Sequence, residues 1–503
     1  MNYGVKLMAK ANEPKPVVGY QGGTVYDMNL KESIVNMLCL GLVQNNFYQD
    51  EKEVMAKTAS IYKEAVQKCP EFLAKAAVYA RNVVGMKLQP NIALVYLSTL
   101  QNKSLFQRAF AGVIKTPKDL HDFITLCRKT DIRGGLGRGV KKTVNECLNR
   151  QSEYNFCRYG GKLAEVMKVT RPIPSCENNQ ALFSYAIKGT ISEGLHRASA
   201  LKQVLICLEK GQVDSYVLNL IQTNRLQLEE LKHAFGKLTA SQKQDIFRFF
   251  IPGLAYMATV SNLVTIERAF GGTVPADVVK IVADKLADVE AYKRSRMLPF
   301  RLITARDMTS VREWQRSIER VINAGIKGVF DVPEGVKTLV AVDTSGSMGS
   351  ALTPSLKCVQ VASLFGAMCT LGIEGSSAYA VASSMKGVRV MTDEVFTLAR
   401  DIENLNVGAG TMFGQIMNHY DSHKYVILIT DGEPADNLEA AWAKANKPRG
   451  AKLIVWQLQP YGHKVSKRPD CIYFQGFSDA LIGTIRNIIE GKGQLDDIEA
   501  VKI

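Results

Sequence analysis

The segment Thr338-Leu339-Val340-Ala341-Val342-Asp343-Thr344-Ser345-Gly346-Ser347 runs an unbroken apolar stretch into an acid and two hydroxyls spaced two residues apart. A short apolar run of this kind reads as a strand buried on both faces, the habit of parallel sheets. Two pieces downstream match it: Gly410-Thr411, and a second apolar run, Tyr425-Val426-Ile427-Leu428-Ile429, ending in Thr430-Asp431-Gly432. Open α/β sheets bind ligands outside the carboxyl ends of their strands, where these groups would gather. Asp343, Ser345, Ser347, Thr411 and Asp431 offer oxygen donors only. That set suits a hard divalent cation that keeps some of its water, Mg²⁺ first. With only two charged donors, such an ion would be under-neutralised and keep an open position that an acidic partner group can fill.

From Lys337 onward strands and helices alternate. Helices are expected near Ser355–Leu371, Thr397–Leu405, Leu438–Ala445 and Asp479–Glu490, with another opened by the loop Gly408–Phe413. Strands are expected at Ser377–Ala382, Val388–Met391, Tyr425–Thr430, Leu453–Leu458 and Ile472–Phe474. Parallel strands linked by helices make a doubly wound, Rossmann-like sheet. The turn chemistry of Ala324–Gly328 and Pro333–Gly335 places a boundary before residue 336. The chain therefore reads as two domains, 1–335 and 336–503, of α and α/β class.

The first thirty residues are rich in glycine, proline and polar groups and read as an extended arm. Leu30 to about Gly325 is helix after helix. Val54–Lys68 carries one broad apolar stripe, and Phe72–Val84 repeats the plan. Asn91–Leu100, Leu105–Val113, Leu120–Lys129, Gln180–Lys188, Leu195–Leu208, Val217–Gln222, Ser241–Phe250 and Pro275–Ala291 follow, with Phe249–Val264 a core helix. Short amphipathic helices bury their faces by stacking in antiparallel pairs, as helical-repeat modules do; an irregular bundle is the alternative.

Charge divides the chain sharply. Residues 336–503 hold 16 Lys+Arg and 17 Asp+Glu, leaving 47 basic and 31 acidic residues in 1–335, a net of +16. Such asymmetry points to a polyanionic partner for the helical part, nucleic acid first. One candidate segment is Arg133-Gly134-Gly135-Leu136-Gly137-Arg138-Gly139-Val140-Lys141-Lys142, which opens a helix. Arg138, Lys141 and Lys142 are either phosphate contacts or the basic face of that helix. The Walker A spacing is missing. Next, Tyr154, Phe156, Arg158 and Tyr159 interleave aromatics with a cation, as base-stacking platforms do, or are core and surface positions of one helix. Lys162, Lys168 and Arg171 continue the basic run. A further cluster, Lys293–Arg301, precedes Arg306, Arg312, Arg316 and Arg320, which are interleaved with acids and so partly ion-paired.

The five oxygen donors resemble the metal-ion-dependent adhesion site of von Willebrand factor A domains, matching at every position, and the resemblance covers 336–503. The remainder resembles the TROVE module of the Ro ribonucleoprotein family, in the same order. The stretches that carry this are Phe72-Leu73-Ala74-Lys75-Ala76-Ala77-Val78-Tyr79-Ala80-Arg81-Asn82, Gly137–Lys142 and Ser295-Arg296-Met297-Leu298-Pro299-Phe300. The resemblance implies a ring-like module of HEAT-like helical repeats closed by the A domain. It implies binding of small noncoding Y-like RNAs on a basic outer face, and of misfolded or structured RNAs whose single-stranded 3′ ends enter a central hole. RNA quality control or the tethering of a nuclease would be the setting. The family's outer-face contacts fall on Arg158 and Arg171. The chain departs from the pattern at Tyr154, which replaces a basic residue, at Arg171, which replaces a histidine, and at Lys162, which replaces a polar residue.

Other classes fare worse. The six histidines show no ligand spacing, and Ser345 is not in a Gly-x-Ser-x-Gly elbow, so no enzyme is expected. A metal-dependent phosphotransferase would want a second carboxylate near Asp343, and position 345 is Ser. A cation-dependent adaptor, in which the A domain binds acidic proteins, is the runner-up. Ten scattered cysteines without a Cys-x-x-Cys pair, no apolar run of membrane length and no secretion-signal pattern suggest a cytoplasmic protein away from membranes, and a monomer is expected.

Overall fold

The computed structural model describes residues 15–41, 47–295, 297, 299–326, 335–353, 356–477 and 493–503. The expected helix Asp479–Glu490, the first fourteen residues of the arm, Arg296 and Leu298 lie outside the described residues. The chain forms two compact units. One comprises Met1–Ala93, Leu298–Thr304 and Glu319–Ile503, and the other Leu94–Met297 and Ala305–Ile318. β-sheet structure of the expected second domain begins at Thr338, and by packing the first 93 residues and the segment from Glu319 belong with that sheet.

In the first unit the strands are β1 (Pro16–Val18), β2 (Thr24–Asp27), β3 (Thr338–Asp343), β4 (Ala351–Thr353), β5 (Leu356–Lys357), β6 (Ser376–Val381), β7 (Met385–Val388), β8 (Tyr425–Thr430), β9 (Lys452–Gln457), β10 (His463–Lys464) and β11 (Cys471–Gln475). Six of them form one sheet in the order β11-β9-β8-β3-β6-β7, parallel except for the antiparallel edge strand β7. Every residue of β3 and β8 is buried, as their unbroken apolar runs require. Leu339 and Ala341 pack with Phe413, Leu428 and Trp442. The helix Cys358–Gly372 runs so close to β3 that a Cβ on Gly366 would lie 2.3 Å from Val342 Cγ2. Phe365 on that helix stacks on Trp456 with ring centroids 4.3 Å apart. The edge strand sits three residues earlier than expected, at Met385–Val388, because Met385 is buried whereas Val390 and Met391 are exposed. The threonine loop opens a 3₁₀ turn, Phe413–Asn418.

The glycine-rich arm is a docked hairpin. β1 pairs with β2, and β2 pairs with β10 through His463↔Asp27 and Lys464↔Tyr26. Gly23 N and Thr24 N donate to Pro434 O and Asp436 O, both at 3.1 Å. A Cβ on Gly23 would lie 2.3 Å from Pro434 O, so glycine is what permits the approach. Side chains extend the seam: Tyr26 Oη donates to Glu439 at 2.9 Å and Lys464 pairs with Glu32 at 2.6 Å. Helices Leu30–Leu40 and Glu51–Lys68 follow, each opened by a reciprocal capping box, Asn29 with Glu32 and Asp50 with Glu53.

The second unit is helical throughout its described residues. Its core includes the ring cluster Phe106, Phe110 and Phe123 and the fully buried Trp314, whose Nε1 donates to Val279 O at 3.0 Å. Pro117–Lys129 starts at a Thr116–Asp119 capping box with proline in its first turn. The helix Glu153–Thr170 is kinked at Tyr159, where φ is −120°, just before Gly160-Gly161.

Candidate metal centre and basic face

β3 and β8 lie side by side in register, Val342 opposite Ile429, so Asp343 and Thr430 emerge together at their carboxyl ends. Asp343 Oδ2 accepts from Thr430 Oγ1 at 2.7 Å, and Oδ1 from the Ser345 amide at 2.9 Å. Ser345 Oγ and Ser347 Oγ are 3.3 Å apart. Three loops are laced around them: Gly346 N donates to Ala409 O, Met412 N to Ala382 O, and Ala435 N to Thr411 O. All five donors expected from the sequence are buried, Asp343, Thr411 and Asp431 completely.

Burial sets the electrostatics. It pushes the Asp343 carboxyl up from 3.8 to about 6 and the Asp431 carboxyl well above the usual carboxylate range, the neighbouring Asp343 charge adding to the latter. Thr411 Oγ1 and Asp431 Oδ2 are buried without a hydrogen-bond partner. Orphaned oxygens among unneutralised acids are what a hard cation would satisfy, so the residues present fit a divalent ion. Among the described residues no three His, Cys, Asp or Glu side chains come together as a ligand set, so any such site depends on its hydroxyls.

One group at this corner was not legible from the motif. Glu433 is fully buried, accepts the Tyr20 amide on Oε2 at 2.9 Å, and has Oε1 2.6 Å from His463 Nε2, misaligned for a hydrogen bond. The Asp431-Gly432-Glu433 spacing, two acids on alternate residues after a strand, was the available signal.

The basic residues expected as RNA contacts fall into two groups. Arg138, Lys141 and Lys142 are exposed and share one side of the helix Gly137–Leu148. Asn145 and Asn149, further along that helix, hold the segment after Arg171: Asn145 Oδ1 accepts from Ile173 N at 2.7 Å, and Asn149 Oδ1 from Ser175 N at 2.8 Å. Asn145 is one turn from Lys141 and Lys142, so the backbone two residues after the exposed Arg171 is tied to that helix. Arg171 itself closes Glu153–Thr170 in the left-handed conformation, φ 51° and ψ 62°. Lys168 is exposed and Lys162 half-buried along that helix.

Arg158 sits a dozen residues back, near the helix start. Its Nη1 donates to Tyr154 Oη at 2.6 Å, and the rings of Tyr154 and Tyr159 lie 5.9 and 5.5 Å from the guanidinium. Arg197 covers Tyr154 at 4.9 Å and pairs with Glu230. Of the aromatic platform, Phe156 is core, 5.9 Å from Phe183. Arg133 turns inward instead of outward: its guanidinium donates to Gly135 O, Leu136 O, Ser98 O and Ser98 Oγ, and so shapes the glycine-rich loop. There Gly137, at φ 67°, occupies a backbone region that side chains with a Cβ avoid.

No family model and no curated protein sequence matches the chain. A crystal structure of the Ro (RSR) protein of Deinococcus radiodurans is similar to it, with a TM-score of 0.65 and 18% sequence identity, covering 92% of this chain and 100% of that one. The likeness shows the fold, a helical-repeat module with a doubly wound A-type sheet domain.

Proposed function

We infer that this protein is an RNA-binding scaffold of the Ro type, with the helical unit as its phosphate-facing part. The observation that carries the reading is the exposed row Arg138, Lys141 and Lys142 on one side of a helix whose far end holds the segment after Arg171, in the two thirds of the chain that hold all the excess positive charge. The shared Ro fold supports it. Exposed cations clustered on one surface bind phosphate with little regard to base sequence. The finer parts of the proposal are Y-like RNA as the outer ligand and misfolded RNAs gripped by their single-stranded 3′ ends, with a nuclease as a possible tethered partner. Arg138, Arg158, Lys162 and Lys168 extend the contact surface.

Asp343, Ser345, Ser347, Thr411 and Asp431 would hold a divalent cation, Mg²⁺ by the hardness of the donors. The ion would neutralise the buried carboxylates and tie three loops together. The adaptor reading, in which that ion recruits an acidic protein, has no observation in its favour. Among the described residues no helix is long and apolar enough to cross a membrane.

The test is a salt titration of structured-RNA affinity with the full chain. Each phosphate contact adds roughly 0.7–0.9 to the negative slope of log K against log salt, so a face of this size gives a steep dependence. Absence of binding at low salt, or a flat slope, refutes the reading.

A further inference from the structure

An adhesion-type metal site is useful to a partner only if its remaining coordination position faces solvent beyond the carboxyl ends of the strands. In this chain its own N-terminal segment is bonded to the loop that leaves β8 at that end of the sheet. The turn between β1 and β2 is bonded to the loop that follows Asp431, through Gly23 to Pro434, Thr24 to Asp436 and the Tyr20 amide to Glu433. Tyr20 stacks face to face on Tyr48, ring centroids 4.9 Å apart, and Tyr461 meets both rings edge-on at 5.7 and 5.4 Å. The Tyr48 hydroxyl is within hydrogen-bonding reach of Ser347, one of the five oxygen donors, and of Gln21. Tyr461 Oη is buried with no partner, and the charges of Asp431 and Glu433 act on it. Behind this layer the Lys57 ammonium donates to the carbonyls of Pro460 and Tyr461.

We propose that the metal site is closed from within: Tyr48, braced by Tyr20 and Tyr461, occupies the approach to Ser347 and Asp431, and the bond from the Tyr20 amide to Glu433 fastens the segment there. The inference rests on the reading of these residues as a cation site. Its consequence is that the ion clasps the N-terminal segment to the sheet and does not present itself to an acidic ligand. Glu433 acts here as the acceptor for Tyr20, not as a ligand.

Terbium(III), which replaces hard divalent ions and is excited through nearby tyrosines, tests this with the full-length chain. Luminescence lifetimes in H₂O and D₂O count the waters on the ion, and acetate serves as the competing carboxylate. In the wild type, acetate leaves terbium affinity unchanged. In Tyr48→Ala the sensitised emission falls, the ion gains bound water and acetate tightens binding. Tyr48→Phe, which keeps the ring stack, also gains water and loses about tenfold in affinity, the low end for removing a group that orients a ligand. If acetate tightens binding equally in the wild type and neither Tyr48 variant changes the water count, the site is open and the proposal falls while the metal reading stands. If Asp343→Ala gives the same emission as the wild type, the ion is not at this site and both fall.

Discussion

Replacing Arg171 by glycine should strengthen the fold while weakening RNA binding, a combination that a merely structural arginine cannot produce. Arg171 ends its helix at φ 51° and ψ 62°, with its amide donating to Met167 O at 2.8 Å. The left-handed conformation costs a residue with a Cβ roughly 1–2 kcal/mol. Glycine escapes that cost but gives back roughly 0.5–1 kcal/mol in backbone entropy. The net is a stabilisation of about 0.5–1 kcal/mol, or about 1–4 °C in melting temperature for a unit of this size. Losing one phosphate-binding cation should make the slope of log K against log salt shallower by roughly 0.7–0.9. Arg171→Lys keeps both the charge and the backbone cost, and should change neither quantity much. Denaturant unfolding and filter binding across a salt series give both numbers. If Arg171→Gly is destabilised, or leaves the salt slope unchanged, Arg171 is not a strained residue retained for binding.

Two further outcomes are expected. Because burial lifts Asp343 from 3.8 to about 6 and Asp431 further, the folded chain holds more protons than the unfolded chain, so Asp343 makes metal-free stability fall as pH rises from about 4 to about 6 and Asp431 continues the fall beyond it. Magnesium needs the deprotonated carboxylates, so its stabilising effect should grow over the same window; equal Mg²⁺-induced melting shifts on either side of pH 6 would refute this. Gly366→Ala places a methyl 2.3 Å from Val342 Cγ2 and should cost about 1–3 kcal/mol, partly recovered by Val342→Ala; an unchanged denaturant midpoint would show that the helix can back away freely.

The sheet was legible in the sequence because its central strands are buried on both faces. Tyr425–Thr430 matches its expected bounds, and β3 exceeds the apolar run only by Asp343. Asp343 and Asp431 could be placed from the sequence because each follows the end of a strand that could be read. The edge strand slipped because Val388–Met391 has the β-branched composition of a strand while Met385 supplies the burial. The hairpin at Pro16–Asp27 could not be read locally: strands of three and four residues around Gly19, Gly22 and Gly23 carry no periodicity, and the partners that order them lie far along the chain. Glu433 and Tyr48 stayed hidden for the same reason, since their meaning comes from what the tertiary fold sets beside them. In the basic region the residue types were informative but the directions were not. Arg133 faces inward where charge alone suggests a surface, Phe156 takes the core position that was one of its two readings, and a bend at Tyr159 breaks the helical phase that would have separated the two faces.

The seam between the hairpin and the sheet has a consequence for synthesis. Tyr26 and its acceptor Glu439 are 413 residues apart. At ribosomal speeds of about 5–20 residues per second, roughly 20–80 seconds separate their emergence. For that interval β2 has no β10 to pair with, and the backbone of Gly23 and Thr24 has no carbonyls to meet. Nascent chains stalled before β10 should therefore expose this segment to proteases or chaperones, and become protected there only once the last strands of the sheet have formed.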